Sequence, residues 1–83
     1  MAELQIGVVT HFYNKIGVAI IKMSAPLKIG EMIKISGHDQ EFTQVVVSMQ
    51  IEHQEIKEAK KGDEVGLKVD QSVKEKDLVY KVE

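Results

Sequence analysis

The chain has 83 residues, of which 43% are apolar and 29% are charged, so it fits one small globular domain and is too apolar for a disordered tail. It contains no cysteine, which excludes disulfides, cysteine-based zinc sites and a thiol nucleophile. The net charge is −2 and all eleven basic residues are lysine; because arginine is the usual bidentate partner of guanine edges and phosphates, this composition argues against a strong sequence-specific nucleic-acid binder.

The amino-terminal residues show no basic segment followed by a long apolar run, so no signal peptide is expected. The longest uninterrupted apolar run, Val18 to Ile21, is far too short to cross a bilayer. We therefore expect a cytoplasmic protein with no membrane partner.

Alternation of apolar and polar residues along most of the chain predicts β-strands. In the first strand, Ile6, Val8 and Thr10 alternate with Gly7, Val9 and His11. The second strand runs from Lys15 to Ser24, and a hairpin loop near Phe12 to Lys15 joins the two. Pro26 cannot donate to a ladder, so it ends the second strand.

The middle of the chain predicts two further strands. Met32 to Ser36 forms the third, and a turn over residues 37–39 follows it. The fourth strand starts at Phe42 and is the longest; its inward-facing residues are predicted to be Val45, Val47, Met49 and Ile51. The segment from Glu55 to Lys61 has apolar residues at helical spacing, which predicts one short helical turn or an irregular loop.

The last two strands carry Val65, Leu67 and Val69, and then Leu78, Tyr80 and Val82, with Tyr80 predicted to lie in the core. Six strands without room for a helix are most economically arranged as a closed sheet, which leaves no exposed edges. The predicted fold is therefore all-β: one domain over residues 1–83 that forms a small six-stranded antiparallel closed β-barrel.

Three related segments that each start with lysine precede strands, at residues 28–33, 60–65 and 74–79. Gly30 and Gly62 occupy the third position of the first two segments, where glycine permits a positive φ. The acidic residue that follows can accept backbone N–H bonds. Lys76 replaces the glycine in the third segment, so that turn either avoids a positive φ or is strained. None of the three matches a phosphate-binding loop.

Few residues suggest catalysis. His11, His38 and His53 are scattered and are expected at the surface or rim rather than in a metal site. No serine lies in a nucleophile motif, and no carboxylate pair is recognisable as catalytic. We therefore expect no enzyme, cofactor or metal, and keep a small hydrolase using Asp63, Glu64 and the histidines only as a third alternative.

The first hairpin offers a candidate contact surface. Exposed aromatic residues beside a lysine can stack a base or anchor a protein partner, and Phe12, Tyr13 and Lys15 meet this description. Lys22 and Lys28 would add positive charge to the same surface. The alternative is that Phe12 plugs one end of the barrel and Tyr13 caps it.

Several segments carry a resemblance to known families. LKIGEMIKI at residues 27–35 resembles the "L-K-x-G-D-x-I" turn in the second domain of translation elongation factors such as elongation factor Tu. VSM at residues 47–49 and EAKKGDEVGL at residues 58–67 resemble that domain's "V-x-S-M" strand and "A-x-A-G-D-x-V-G-L" signature, in the same order. The chain is also similar to the carboxy-terminal barrel of collagenase-like peptidase family proteins, a family linked to RNA hydroxylation, most clearly at residues 41–43 and 69–74.

The resemblance implies a translation-type barrel. In elongation factors this domain contacts the aminoacylated end of tRNA, ribosomal RNA and its own GTPase domain, and the acidic residue near the terminal adenosine corresponds to Asp63. Ser48 stands where the factor carries an acidic residue, the arginines used toward tRNA have no counterpart, and the chain has no GTP-binding domain.

The predicted function is that of a free-standing, non-catalytic binding module for RNA or a ribonucleoprotein in translation, with tRNA or rRNA as candidate partners. Its predicted contact residues are Phe12, Tyr13, Lys15, Lys22, Lys28 and Asp63. The alternative is a protein–protein interaction module that docks on a separate enzyme or GTPase subunit.

Overall fold

The computed structural model describes residues 3–37 and 41–82, so most of the turn predicted over residues 37–39, including His38, lies outside the described part. The described residues form ten strands and no helix. The strands are β1 (Glu3–Tyr13), β2 (Val18–Met23), β3 (Leu27–Lys28), β4 (Met32–Ser36), β5 (Glu41–Val45), β6 (Met49–Ile51), β7 (Gln54–Ile56), β8 (Glu58–Ala59), β9 (Glu64–Lys68) and β10 (Leu78–Val82).

The strand topology confirms an all-β antiparallel fold and corrects the strand count. Eight strands form one sheet in the order β5-β4-β10-β1-β2-β9-β6-β7, and β3 pairs with β8 in a second, two-stranded sheet. The prediction of six strands was therefore wrong, and the described pairings do not close into a barrel, since β5 and β7 are terminal strands of an open order.

The large sheet curls around a single core. Apolar side chains from most strands contribute to one buried cluster, which comprises Ile6, Val9, Ala19, Ile21, Met23, Leu27, Ile33, Ile35, Val46, Met49, Ala59, Val65, Leu67, Val69, Val73 and Val79. The buried side chain of Gln44 joins β5 to the end of β9. Its amide nitrogen donates to the carbonyl oxygen of Lys68 at 2.8 Å, and its amide oxygen accepts from the backbone N–H of Asp70 at 2.8 Å.

The predicted fourth strand was wrong in length, and its inward-facing residues were wrong at Val45 and Val47 but correct at Met49, which is buried, and Ile51, which packs against the core. It is divided into β5 and β6 by an irregular stretch at residues 46–48. Val46 is fully buried, whereas Val45 is 44% exposed and Val47 is 66% exposed. The backbone N–H of Val46 donates to the carbonyl oxygen of Glu31 at 2.9 Å, and the regular strand is interrupted here. The inward-facing residues are therefore even-numbered up to this point, at Gln44 and Val46, and odd-numbered after it, at Met49.

Two further predictions need correction. The segment predicted as a helical turn or loop contains strands β7 and β8, which pair with β6 and β3. Tyr80 is half-buried rather than in the core, and Val79 is the fully buried residue of β10. The alternation predicted for the fifth strand is confirmed, because Val65, Leu67 and Val69 are all buried.

The three lysine-initiated turns have the predicted geometry. Gly30 and Gly62 have φ of 93° and 92°, and Lys76 in the corresponding place has φ of 75°, so the third turn takes the strained alternative. Each acidic residue that follows accepts a hydrogen bond from the backbone N–H of the lysine three residues earlier, at 2.9 Å in all three turns.

Candidate functional site

Three neighbouring strands, β2, β9 and β6, present a common outer face. Residues on β2 that point away from the core alternate with the buried ones. In the antiparallel pairing of β2 with β9, Val18 lies opposite Lys68, Ile20 opposite Gly66, and Lys22 opposite Glu64. Gly66 is also paired with Gln50 on β6. The outer face is therefore built in rows that run across the three strands.

A groove of about 430 Å³ lies on this face. We call it the outer groove; its lining residues are Tyr13, Ile16, Val18, Ile20, Gln50, Glu52, His53, Glu64 and Gly66. They come from β1, the turn after it, β2, β6, the turn after β6, and β9. No short sequence segment contains the groove, because the strand register assembles it.

The β6–β7 turn brings two polar side chains to the groove. Ile51 pairs with Gln54, which leaves Glu52 and His53 as a two-residue hairpin loop. Their φ values are 51° and 66°, as type I′ turns require, although such turns favour asparagine and glycine. A side chain at each position costs local strain, and in exchange the groove gains a carboxylate and an imidazole.

One end of the groove is apolar. Tyr13 pairs with Val18 across the first hairpin, and Ile16 follows in the turn. The side chains of Tyr13 and Ile16 are 48% and 62% exposed, which is a large exposure for two adjacent bulky apolar groups. The centroid of the Tyr13 ring lies 5.3 Å from the centroid of the His11 ring, at an interplanar angle of 58°, so the histidine ring packs beside the tyrosine.

The other end of the groove is acidic. Glu52 and Glu64 line it and no lysine does. The nearest lysine in the register is Lys22, which is the cross-strand neighbour of Glu64. Neither carboxylate forms an ion pair with a described lysine. The acidic end therefore retains two carboxylates that are available to an external cation.

Gly66 leaves room for the side chains of Val18 and Ile20 in the middle of the groove. A Cβ atom at this position would lie 3.3 Å from Val18 Cγ1 and 3.6 Å from Ile20 Cδ1. These two side chains thus already occupy the space beside Gly66, and a larger residue there would displace them. The middle of the groove is therefore an apolar surface formed by Val18 and Ile20.

The structure separates the predicted contact residues. Tyr13 lines the apolar end of the groove, and Lys15 is exposed in the adjoining turn. Phe12 is half-buried and packs against the core, and its contact role stays a prediction. Lys22 is exposed on the outer face of β2, four residues beyond Val18 and near the acidic end.

The remaining two predicted residues lie elsewhere. Lys28 is exposed on β3, opposite Glu58 in the two-stranded sheet. Asp63 is half-buried, its carboxylate accepts from Lys60, and its carbonyl oxygen accepts from the backbone N–H of Met23 at 2.8 Å. Its geometry is that of a turn residue, and its contact role stays a prediction.

Sequence reasoning missed most of the groove. Ile16, Gly66 and Glu52 were not selected, Glu64 was considered only for the hydrolase alternative, and His53 only for that alternative or as a rim residue or metal ligand. The described residues contain no group of three or more histidine, aspartate or glutamate side chains placed to hold a metal ion. The exposed Ile16, in a turn where polar residues are usual, was the signal that could have located the apolar end.

A second apolar surface lies near the open edge of the large sheet. Ile29, Met32, Val45 and Val47 are between 38% and 66% exposed, and Met32 pairs with Val45. Ile29 and Val47 border a smaller groove of about 260 Å³ with Glu55 and Lys57. Because its two charged residues have opposite signs, this surface has no preference for either charge.

Comparison with known proteins adds one sequence relative. No protein-family model matches the chain. An uncharacterized protease of Methanocaldococcus jannaschii is 44% identical over 79 residues, which make up 94% of this chain and 19% of that protein. The chain thus spans about a fifth of the length of this relative.

No helix among residues 3–37 and 41–82 has the length and apolar character needed to span a membrane. The cytoplasmic location expected from the sequence stays a prediction.

Two solved structures share the fold. The carboxy-terminal domain of a Geobacillus thermoleovorans protein described as a U32 peptidase has a TM-score of 0.91 and 20% identity, and the match covers 96% of this chain and 93% of that domain. The selenomethionine variant of that domain has a TM-score of 0.86 and 20% identity, over 90% and 95%. The resemblance to elongation factors stays a prediction, and the chain has the fold of the carboxy-terminal domain of a U32 peptidase.

Proposed function

We propose that this domain is a non-catalytic protein-docking module that binds its partner through the outer groove. One observation carries the proposal: the groove has an exposed apolar end at Tyr13 and Ile16, and two carboxylates, Glu52 and Glu64, at the other. Aromatic and aliphatic side chains anchor protein interfaces. Carboxylates repel the phosphate backbone of a nucleic acid, whose binding depends on cations.

The comparisons support a partner of the peptidase class. The sequence relative is named a protease and is about five times as long as the aligned segment, and the structural neighbours are single domains of a protein described as a peptidase. We infer that the partner is a peptidase-type catalytic unit. Docking would position or regulate that unit, and the chemistry would belong to the unit.

The RNA-binding hypothesis has less support. Lys15, Lys22 and Lys28 lie at three separate places, namely the first hairpin turn, the far end of β2 and the two-stranded sheet. They do not form a continuous basic track of the kind that follows a nucleic-acid backbone. RNA therefore remains the outcome that the experiment below must be able to detect.

The test is affinity capture of the full chain from an extract of its source organism, with and without ribonuclease. We expect a protein partner that survives ribonuclease treatment and is lost when Ile16 is replaced by serine. Val47→Ser is the matched control, because Val47 is 66% exposed and Ile16 is 62% exposed, and only Ile16 lines the groove. Capture that requires RNA, or that Ile16→Ser leaves unchanged, would contradict the proposal.

A further inference from the structure

The outer groove also suggests what kind of segment it binds. We propose that it recognises an extended segment of the partner in which a bulky apolar side chain is followed, four residues later, by lysine or arginine. The apolar side chain contacts Tyr13 and Ile16, and the basic side chain contacts Glu52 and Glu64. This inference rests on the proposed docking function and specifies its ligand.

The spacing follows from the strand register. Tyr13 is the cross-strand partner of Val18, and Glu64 is that of Lys22. Val18 and Lys22 are four residues apart on one strand, which corresponds to roughly 13 Å at the rise of a β-strand. In an extended ligand that lies along β2, residues i and i+4 are equally far apart and point to the same side. Tyr13 on β1 and Glu64 on β9 lie on opposite sides of β2. One segment that lies over β2 can therefore contact the apolar end on one side and the acidic end on the other.

The charges set the order of the two ligand residues. The carboxylates of Glu52 and Glu64 have no described lysine as an ion-pair partner, so an incoming cation gains two charge partners. Lys22 is the cross-strand neighbour of Glu64, so the acidic end holds two carboxylates against one lysine. At the apolar end, Lys15 lies in the turn between Tyr13 and Ile16, Lys68 is the cross-strand neighbour of Val18, and no carboxylate lines the groove there. A basic residue is thus favoured only at the acidic end.

The side chains of Val18 and Ile20 form the middle of the groove. They lie against Gly66 and are half-buried. The part of the ligand between the two end contacts therefore passes over these two apolar side chains. The strained loop at Glu52 and His53 holds its carboxylate at the groove edge, because a two-residue hairpin turn allows little movement.

The experiment uses synthetic peptides and amide chemical-shift titration of the full chain. The probe is a capped seven-residue peptide with leucine at its second position and arginine at its sixth, and with serine and threonine elsewhere. Three controls move the arginine to the fifth position, replace it with glutamate, or replace the leucine with serine. We expect the probe to shift the amide signals of Ile16, Gln50 and Gly66, and each control to bind about fivefold more weakly, as expected for the loss of one exposed contact.

Variants of the chain assign the preference to the carboxylates. In a Glu52→Gln, Glu64→Gln double variant, we expect the arginine and glutamate peptides to bind equally. Glu58→Gln is the matched control, since Glu58 is an exposed carboxylate on β8 outside the groove, and it should keep the arginine preference. No shift at the groove with millimolar probe, equal binding of all peptides to the native chain, or a preference that survives in the double variant would overturn the inference.

The failure of this inference is distinguishable from the failure of the docking function. If capture of the protein partner depends on Ile16 while the peptides show no preference for charge or spacing, docking stands and the proposed ligand pattern is wrong. If capture is independent of Ile16, the docking function itself fails.

Discussion

Asp77 and Lys74 form a reciprocal pair of hydrogen bonds. The Asp77 carboxylate accepts from the backbone N–H of Lys74 at 2.9 Å, and the backbone N–H of Asp77 donates to the carbonyl oxygen of Lys74 at 3.1 Å. The same two bonds join Asp63 to Lys60 and Glu31 to Lys28. The same four-residue turn thus precedes β4, β9 and β10.

Replacing Lys76 with glycine should stabilise the domain. Lys76 is the only one of the three equivalent residues that has a side chain at positive φ, at 75°. Relief of the left-handed conformation outweighs the extra freedom that glycine gives the unfolded chain, so we expect a gain of roughly 0.5–1 kcal/mol in the free energy of unfolding. Urea denaturation measures it.

The reverse substitution, Gly62→Ala, is the control for the Lys76 prediction. Gly62 has φ of 92°, and a Cβ atom there would meet nothing within 4 Å. Any loss therefore reports the backbone conformation alone, and we expect it to be about 1 kcal/mol. Equal stability of all three proteins would mean that the turns are not strained as described.

Asp63→Ala should reduce stability without reducing partner binding. Its carboxylate satisfies the Lys60 N–H, and removal of such a turn bond costs about 1 kcal/mol. Because Asp63 does not line the outer groove, captured partner should be unchanged at a temperature where the variant is fully folded. A folded variant that no longer binds would favour the contact role implied by the elongation-factor resemblance.

Glu31 should contribute to the acid sensitivity of the fold. The hydrogen bond from Lys81 holds the pKa of Glu31 below its ordinary value of 4.5; partial burial opposes this, while the bond from the backbone N–H of Lys28 adds to it. Lys81 Nζ lies 2.6 Å from the Glu31 carboxylate. Since the folded state lowers this pKa, the stabilisation is complete above the unfolded value and is lost as the pH falls through the folded value.

The measurement is the free energy of unfolding of the native chain and of Glu31→Gln from pH 7 to pH 3. We expect the native chain to be more stable at neutral pH, with a difference that shrinks as the pH falls below 4.5. A constant difference between the native chain and Glu31→Gln would show that the ion pair does not affect stability.

Aspartate substitutions at two adjacent valines should have opposite outcomes. Val46 is 0% exposed, so Val46→Asp places an unpaired charge in the core and should prevent folding. Val47 is 66% exposed, so Val47→Asp should remain folded, within about 0.5 kcal/mol of the native chain. Circular dichroism and a thermal melt distinguish the two, and an unfolded Val47→Asp would contradict the burial pattern.

These valines also show which buried residues could be predicted from the sequence and which could not. Alternation located Val65 and Leu67 correctly, because polar neighbours mark their parity. Three consecutive valines at residues 45–47 show no alternation with polar residues. The backbone hydrogen bonds of Val46 with Gly30 and Glu31, in the turn before β4, fix which valine enters the core. The positive φ of Lys76 was one of two stated alternatives, since composition alone does not reveal which conformation the surrounding strands impose.

The outer groove was harder to predict from the sequence than the core. Its apolar end includes Tyr13, which the sequence analysis selected because an aromatic residue next to a hairpin turn is visible in the sequence; Tyr13 is the last residue of β1 and not part of the loop. Its acidic end depends on the pairing of β2 with β9, which places Glu64 opposite Lys22, and on the turn after β6, which carries Glu52. The segment containing β7 resembled a helical turn because its apolar residues are three apart, which concealed the hairpin that places Glu52 and His53 at the groove.

The most direct test of the docking function is site-specific photo-crosslinking in extract. A photoreactive amino acid at Ile16 reports the outer groove, and one at Val47, which is similarly exposed, reports the second apolar surface. We predict that the Ile16 probe crosslinks to a protein, that ribonuclease does not change this product, and that the Val47 probe gives much less of it. Crosslinking of the Ile16 probe to RNA, or equal protein crosslinking from both positions, would contradict the assignment of the outer groove as the docking site.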